Sequence, residues 1–274
     1  MILDSHIHFW KYHPVRDAWI NDDMKVIQRD FLPEDALPVF NANGGAGCIA
    51  VQADQSPEEN RFLLQLAAEN DFIKGVVGWI DLSSPGIEEE LKSYKNHAKL
   101  KGFRYMVQDE AQGFLQRETV LENIAKLGHY GYTYDILILG HQLADAITLT
   151  EKLPNQPYIL DHCAKPSLRT GNISEWKAQI KLLAQNPNVY CKLSGLLTED
   201  HWRNCNEVQL KDCMDVVLDS FGTNRVVFGS DWPVVQLAGT YTRWLNLVKT
   251  HIAHFSPAQQ ENILYHNAVK FYGL

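Results

Sequence analysis

Residues 1–10, MILDSHIHFW, run from a short apolar stretch, Ile2-Leu3-Asp4-Ser5, directly into His6-Ile7-His8. Side chains two apart on a strand point the same way, so a strand here delivers two imidazoles to one side at its end. Seven further runs share this character: 47–52 (GCIAVQ), 74–80 (KGVVGWI), 100–104 (LKGFR), 133–138 (TYDILI), 157–161 (PYILD), 188–193 (NVYCKL) and 225–230 (RVVFGS). Most are apolar on both faces, as strands covered on both sides must be.

Helical patterns fill the intervals. Ser56-Pro57-Glu58-Glu59 reads as a capping box with Pro at the first helical position, opening a helix to about Asn70. Apolar stripes recur over 119–129, 142–153, 207–221 and 241–252; Ser174 reads as the cap of a helix that Asn186-Pro187 ends, and Ser256 caps a last one. Eight strands with helices between them predict the α/β class and a single (β/α)8 TIM-type barrel over residues 1–274. Such a barrel typically takes ~250 residues and carries its functional groups at the C-terminal ends of its strands. A doubly wound sheet is the alternative, but no GxGxxG or GxxxxGK[ST] follows any strand.

Lys and Arg number 25 against 33 Asp and Glu, a net charge of −8, and no basic stripe is present. That balance argues against nucleic-acid and anionic-membrane partners. No apolar run approaches the ~18 residues a membrane span needs, and MILDSHIHFW lacks the basic and apolar regions of a signal peptide. The five cysteines, at 48, 163, 191, 205 and 213, are odd in number and show no CxxC spacing. They read as reduced thiols of a cytoplasmic protein.

Two imidazoles on one side of a strand end suit a divalent metal such as zinc. His162 directly follows the sixth run, at the end of Ile159-Leu160-Asp161-His162, and Asp231 follows the eighth. If the barrel closes, strand eight lies beside strand one and sets Asp231 next to His6 and His8. His6, His8, His162 and Asp231 are therefore the predicted metal ligands.

Further segments resemble a known family. HIHFW (6–10), DHCAKP (161–166), KLSGL (192–196) and FGSDWP (228–233) are similar to the amidohydrolase-related branch of the amidohydrolase superfamily. VQADQSPEEN (51–60), KGFRYMVQDE (101–110) and DHCAKP favour its sugar-lactonase group, the L-fuconolactonase- and L-rhamnonolactonase-like hydrolases. DFLPEDA (30–36), GVVGWIDL (75–82) and NAVKFYGL (267–274) carry the likeness along the chain. The resemblance implies a distorted barrel that hydrolyses a cyclic ester of a sugar acid, with a small-molecule sugar lactone as its partner. It matches His6 and His8 to the strand-one motif, His162 to the single later histidine and Asp231 to the acid after strand eight. Binuclear relatives carry a bridging group after strand four, where this chain reads Gly102-Phe103-Arg104. One divalent metal ion, zinc first among candidates, is thus the implied cofactor, and metal-independent catalysis stays open. Tyr105 stands where relatives often carry histidine.

Within that frame Asp231 is the expected general base and acid for the attacking water and the leaving alkoxide. His162 is a second catalytic candidate, as a metal ligand or a donor to the oxyanion. Arg104, Lys192, Lys165, Gln52, Trp10 and Trp232 are the expected substrate contacts, the indoles as pocket walls. Asp135 is expected to point away from the barrel interior. A decarboxylase of an aromatic or enol acid is the competing enzyme reading, and a non-catalytic sugar-acid-binding barrel the competing non-enzyme one.

Overall fold

The structure, a computed structural model, describes residues 1–274. Eight parallel strands stand in the order β1 to β8: Ile2–Ile7, Gly45–Val51, Ile73–Trp79, Leu100–Met106, Thr133–Leu137, Tyr158–Leu160, Val189–Leu193 and Val226–Phe228. The fold is thus the predicted (β/α)8 barrel, with strand limits within a few residues of those expected. β6 and β8 are shorter than predicted, three residues each, because the chain leaves the sheet at Asp161 and Gly229 to build the loops of the site.

The distortion lies in the seam between β8 and β1. These strands share no continuous ladder; one parallel bridge, Ile7 to Trp232, joins them. Around it the Asp231 amide donates to His6 O at 2.9 Å and the His8 amide to Trp232 O at 2.8 Å. Lower down, side chains substitute for a ladder: Ser5 Oγ donates to Phe228 O at 2.7 Å, and Asp4 Oδ1 accepts from the Ser230 amide at 2.9 Å. Asp4 and Ser5 can do this because β1 carries one extra residue between Asp4 and Ile7 relative to β2. Such a bulge reverses the inside–outside alternation. Leu3 packs within the barrel below it and Ile7 against the surrounding core above it.

Eleven α-helices surround the sheet, several with the caps their sequences announce: α1 (Pro33–Asn43), α2 (Pro57–Glu69), α3 (Ile87–Ser93), α4 (Glu118–His129), α5 (Leu143–Lys152), α6 (Ser174–Leu183), α7 (Leu196–Glu199), α8 (Glu207–Phe221), α9 (Tyr241–His251), α10 (Pro257–Glu261) and α11 (Asn267–Tyr272). Ser256 and Gln259 form a reciprocal capping box before α10. At α2 only half of the expected box exists: Ser56 accepts from the Glu59 amide, while the Glu59 carboxylate reaches back to the Ala53 amide at 2.8 Å. Ser174 is the first residue of α6 and does not cap it; Ile173 occupies the cap position.

The inner apolar cluster, Leu3, Ile49, Val51, Val77, Ile159 and Val227, fills the N-terminal half of the barrel, and Ala268 and Tyr272 of α11 close it from below. Above this apolar plug the inward side chains become polar, and the site begins. No helix is long and apolar enough to cross a membrane.

Candidate active site

A layer of buried charge rests on the apolar plug. Lys192 on β7 has no exposed surface, and its ammonium lies 2.5 Å from Asp135 Oδ2, 2.9 Å from Asp161 Oδ1 and 3.1 Å from His6 Nδ1. Asp135 therefore points into the barrel, contrary to expectation, because Tyr134 and Ile136 take the outward positions of β5 in the core. Tyr272 also donates to Asp135 Oδ2 at 3.0 Å. Burial pushes Asp135 up, whereas at Asp161 the same effect is outweighed by Lys192, His6 and Arg104, which hold it well below the usual carboxylate range.

Arg104 on β4 completes the layer. Its Nη1 lies 3.1 Å from Asp161 Oδ2 and 3.2 Å from His6 Nε2, and its Nη2 donates to the Gln52 carbonyl at 2.5 Å and Gln52 Oε1 at 3.3 Å. Only Nε lacks a partner. Two fixed cations, Lys192 and Arg104, thus face two carboxylates, the pairing that makes buried charge tolerable.

Above the layer stand the four predicted ligands. His6 Nε2 and His8 Nε2 are 3.1 Å apart, and Asp231 Oδ1 lies 3.3 Å from His8 Nε2, 3.8 Å from His6 Nε2 and 3.9 Å from His162 Nε2. Local geometry holds each one. His8 Nδ1 donates to Val51 O at 2.8 Å, leaving Nε2 as a lone pair. His162 Nδ1 meets Ser194 Oγ at 2.9 Å. His162, Cys163, Ala164 and Lys165 all have positive φ, 46–57°, a left-handed turn that costs L residues free energy. The turn buries Cys163 and Ala164 while His162 and Lys165 both line the cavity. Gly195 (φ +71°) makes room for it, since a Cβ there would stand 2.7 Å from His162 Nδ1.

The donor set fits a divalent ion. Zinc bonds to nitrogen and oxygen at 2.0–2.1 Å, so tetrahedral ligand atoms should lie about 3.3 Å apart; His6, His8 and Asp231 form a mutually close trio with separations of 3.1–3.8 Å, and His162 joins it through Asp231 at 3.9 Å. Burial lowers His162 to about 4 and holds His6 well below its ordinary value. Burial would raise Asp231, but the surrounding imidazoles, His162 first, outweigh it and hold the carboxyl far below its ordinary value. Neutral imidazoles around an ionised carboxylate are the protonation states a metal requires. His6 can present Nε2 when Nδ1 carries the proton toward Asp161 Oδ1, 3.4 Å away; in that tautomer Lys192 donates to Asp135 and Asp161 and not to Nδ1.

The site opens into a cavity of about 880 Å³. Arg104, Lys165 and Trp10 of the expected substrate contacts line it, together with His8, His162 and Asp231. Three expected contacts do not. Lys192 is consumed by the charged layer, Gln52 is fully buried as the acceptor for Arg104, and Trp232 lies in the core against Phe9 and Phe31. His6 is enclosed behind His8. Asp161, adjacent to His162 and an ion-pair partner of three site residues, was not singled out from the sequence, nor were the cavity residues Glu199, Trp202 and Trp19. The adjacency of Asp161 to a ligand histidine and the position of Glu199 just past β7 were the available signals.

The family model described as Amidohydrolase matches residues 3–274. An L-fucono-1,5-lactonase of Burkholderia multivorans is 38% identical over 258 residues, covering 90% of this chain and 87% of that protein. An L-fucono-1,5-lactonase of Burkholderia ambifaria is 33% identical, covering 98% and 94%. A crystal structure of an amidohydrolase from Burkholderia multivorans with bound zinc superposes with a TM-score of 0.96 at 36% identity, covering 100% of this chain and 99% of that one.

Proposed function

This chain belongs to the amidohydrolase family, and from that premise we propose that it opens the lactone ring of a sugar acid, with an L-fucono-1,5-lactone-like compound as substrate. It is a hydrolase acting on a cyclic ester. The observation that carries the reading is the trio of imidazoles around Asp231 at the floor of a wide polar cavity.

Asp231, ionised at neutral pH, takes a proton from the water as its oxygen bonds to the lactone carbonyl carbon. The carbonyl oxygen gains negative charge, and the Arg104 guanidinium, fixed by Asp161 and Gln52, stabilises it electrostatically without having to reorient. The ring C–O bond then breaks, and Asp231 returns its proton to the leaving alkoxide. The product is an open-chain hydroxy acid whose carboxyl releases a proton to solvent. His6, His8, His162 and Asp231 would hold one divalent ion, zinc by preference for this N/O donor set, which would supply polarisation of the carbonyl and acidification of water. Trp10 and Lys165 contact the sugar part of the substrate. Ser194 fixes the ring of His162, and Asp161, itself held by Lys192 and Arg104, fixes that of His6.

Such an activity belongs to carbohydrate metabolism, downstream of oxidation of an aldose at its carbonyl-bearing carbon. Free thiols at Cys48, Cys163, Cys191, Cys205 and Cys213 suit a reducing cytoplasm. The decarboxylase reading has no observation in its favour here, and relatives at 33–38% identity are lactonases. Proton release from a panel of 1,5- and 1,4-aldonolactones, with and without chelator, tests the assignment. Turnover of a 1,5-aldonolactone that fails after metal removal is expected; carbon dioxide release from an acid substrate with no lactone turnover overturns it.

A further inference from the structure

The charged side chains of the cavity are not equally occupied. Among those buried or half-buried, Arg104 is tied to Asp161 and Gln52, Asp231 to the imidazoles, and Asp54 to the Ser56 hydroxyl. Lys165 and Glu199 line the same cavity, are half-buried, and make no side-chain hydrogen bond or ion pair with any protein group or with each other. Both are aimed there by local structure. Lys165 is the last residue of the left-handed turn that also presents His162, and Glu199 ends α7, directly after the Ser194-Gly195 pair that supports His162. Burial, with Asp231, raises the Glu199 carboxyl, and the cations Lys165 and Arg169, which line the same cavity, lower it.

We propose that Lys165 and Glu199 form a hydroxyl-reading subsite, in which one hydroxyl group of the lactone accepts from Lys165 Nζ and donates to the Glu199 carboxylate. This rests on the lactonase reading and specifies its substrate as a polyhydroxylated ring. The chemistry selects the ligand class. Two opposite charges that share a cavity but do not pair with each other can both be met by one group that accepts and donates at once. A carboxylate would be drawn to Lys165 and repelled by Glu199 and Asp231, and an amine would find the reverse. A hydroxyl satisfies both, and hydrogen bonds to charged partners are the stronger kind. A ring without hydroxyls would leave both charges half-buried and unmatched, which is how a site of this kind rejects a deoxy analogue.

The test compares Lys165→Met, Glu199→Gln and the double variant on L-fucono-1,5-lactone and on unsubstituted δ-valerolactone. Each single substitution is expected to lower kcat/KM for the hydroxylated lactone about tenfold to hundredfold, largely through KM, and to lower it at least tenfold less for δ-valerolactone. Because one hydroxyl serves both residues, the double variant should lose about as much as either single one. Equal losses on both lactones, or losses that multiply in the double variant, overturn the shared hydroxyl. Calorimetric titration with a hydroxylated six-membered lactam, which resists hydrolysis, separates this failure from failure of the lactonase reading. Wild-type protein that binds the lactam through both residues yet turns over no lactone sinks the reading and keeps the subsite. Lactone turnover with lactam binding indifferent to both substitutions does the opposite.

Discussion

Lys192 Nζ stands 3.1 Å from His6 Nδ1, and neither side chain has exposed surface. The imidazole at the centre of the site is therefore backed by a cation that no solvent or substrate reaches. The same ammonium neutralises Asp135 and Asp161, so its removal leaves two carboxylates facing Arg104 alone. Lys192→Met is expected to cost about 3–5 kcal/mol of stability, the usual penalty for breaking a buried pair. Lys192→Met combined with Asp135→Asn should recover part of it. Urea midpoints of the two variants check this; a single variant within 1 kcal/mol of wild type (roughly the scale of a surface pair) would show that the buried layer contributes little.

Asp231→Asn retains the size of the side chain and removes the base. Its backbone amide still donates to His6 O, so the β1–β8 seam persists. The turnover number should fall by about 10²–10⁴ with an unaltered circular dichroism spectrum. Near-normal turnover on the aldonolactone would remove Asp231 from the proton-transfer role.

Outside the site, Glu59 is buried and pushed up to about 7 by that burial, with Asp54 adding to the rise. Its native pKa lies above the unfolded value, so the native state holds its proton more tightly between about pH 4.5 and 7. The associated stability is complete below pH 4.5 and is lost as pH rises through 7. Glu59→Gln keeps an oxygen for the Ala53 amide and no longer titrates. The variant should match wild type at pH 4 and exceed it at pH 8, by up to about 3 kcal/mol on the scale of 1.36 kcal/mol per pKa unit. Melting temperatures of both proteins at the two pH values decide the matter, and an equal difference at each would contradict it.

The barrel was legible because each strand is a compact apolar run with a helix pattern behind it, and the clustering of His6, His8, His162 and Asp231 because all four sit where strands end. What sequence could not resolve was which face a strand turns inward. In TYDILI both alternations contain apolar residues, so Asp135 could be assigned to either side; only Tyr134 and Ile136 packing outward fixes it. Lys192 looked like a substrate contact for the same reason, since its partners lie on β5 and after β6 and are remote in the chain. Trp232 follows Asp231 at a strand end, but the seam bridge with Ile7 turns its ring into the core. Glu199 escaped notice because it belongs to a four-residue helix with no periodic signature.

Gly195 and Gly131 separate backbone strain from site geometry. Both have positive φ, +71° and +81°, so an alanine at either position should cost about 1–2 kcal/mol from the backbone alone. At Gly131, between α4 and β5 on the face opposite the cavity, the added Cβ would meet nothing within 4 Å. At Gly195 it would come within 2.8 Å of the His162 Cβ and Cγ atoms, and the ring would have to shift, changing its distances to Ser194 and Asp231. Gly195→Ala should therefore lose stability at least as great as Gly131→Ala and, in addition, about 10²-fold in turnover, the usual effect of displacing a site group by about 1 Å. It should also bind zinc more weakly in competition with a chelator, because one ligand is displaced, whereas Gly131→Ala should retain wild-type kinetics and affinity. Equal kinetics for the two variants would mean that the left-handed turn at His162 tolerates the shift, and that the close packing of Gly195 serves the fold alone.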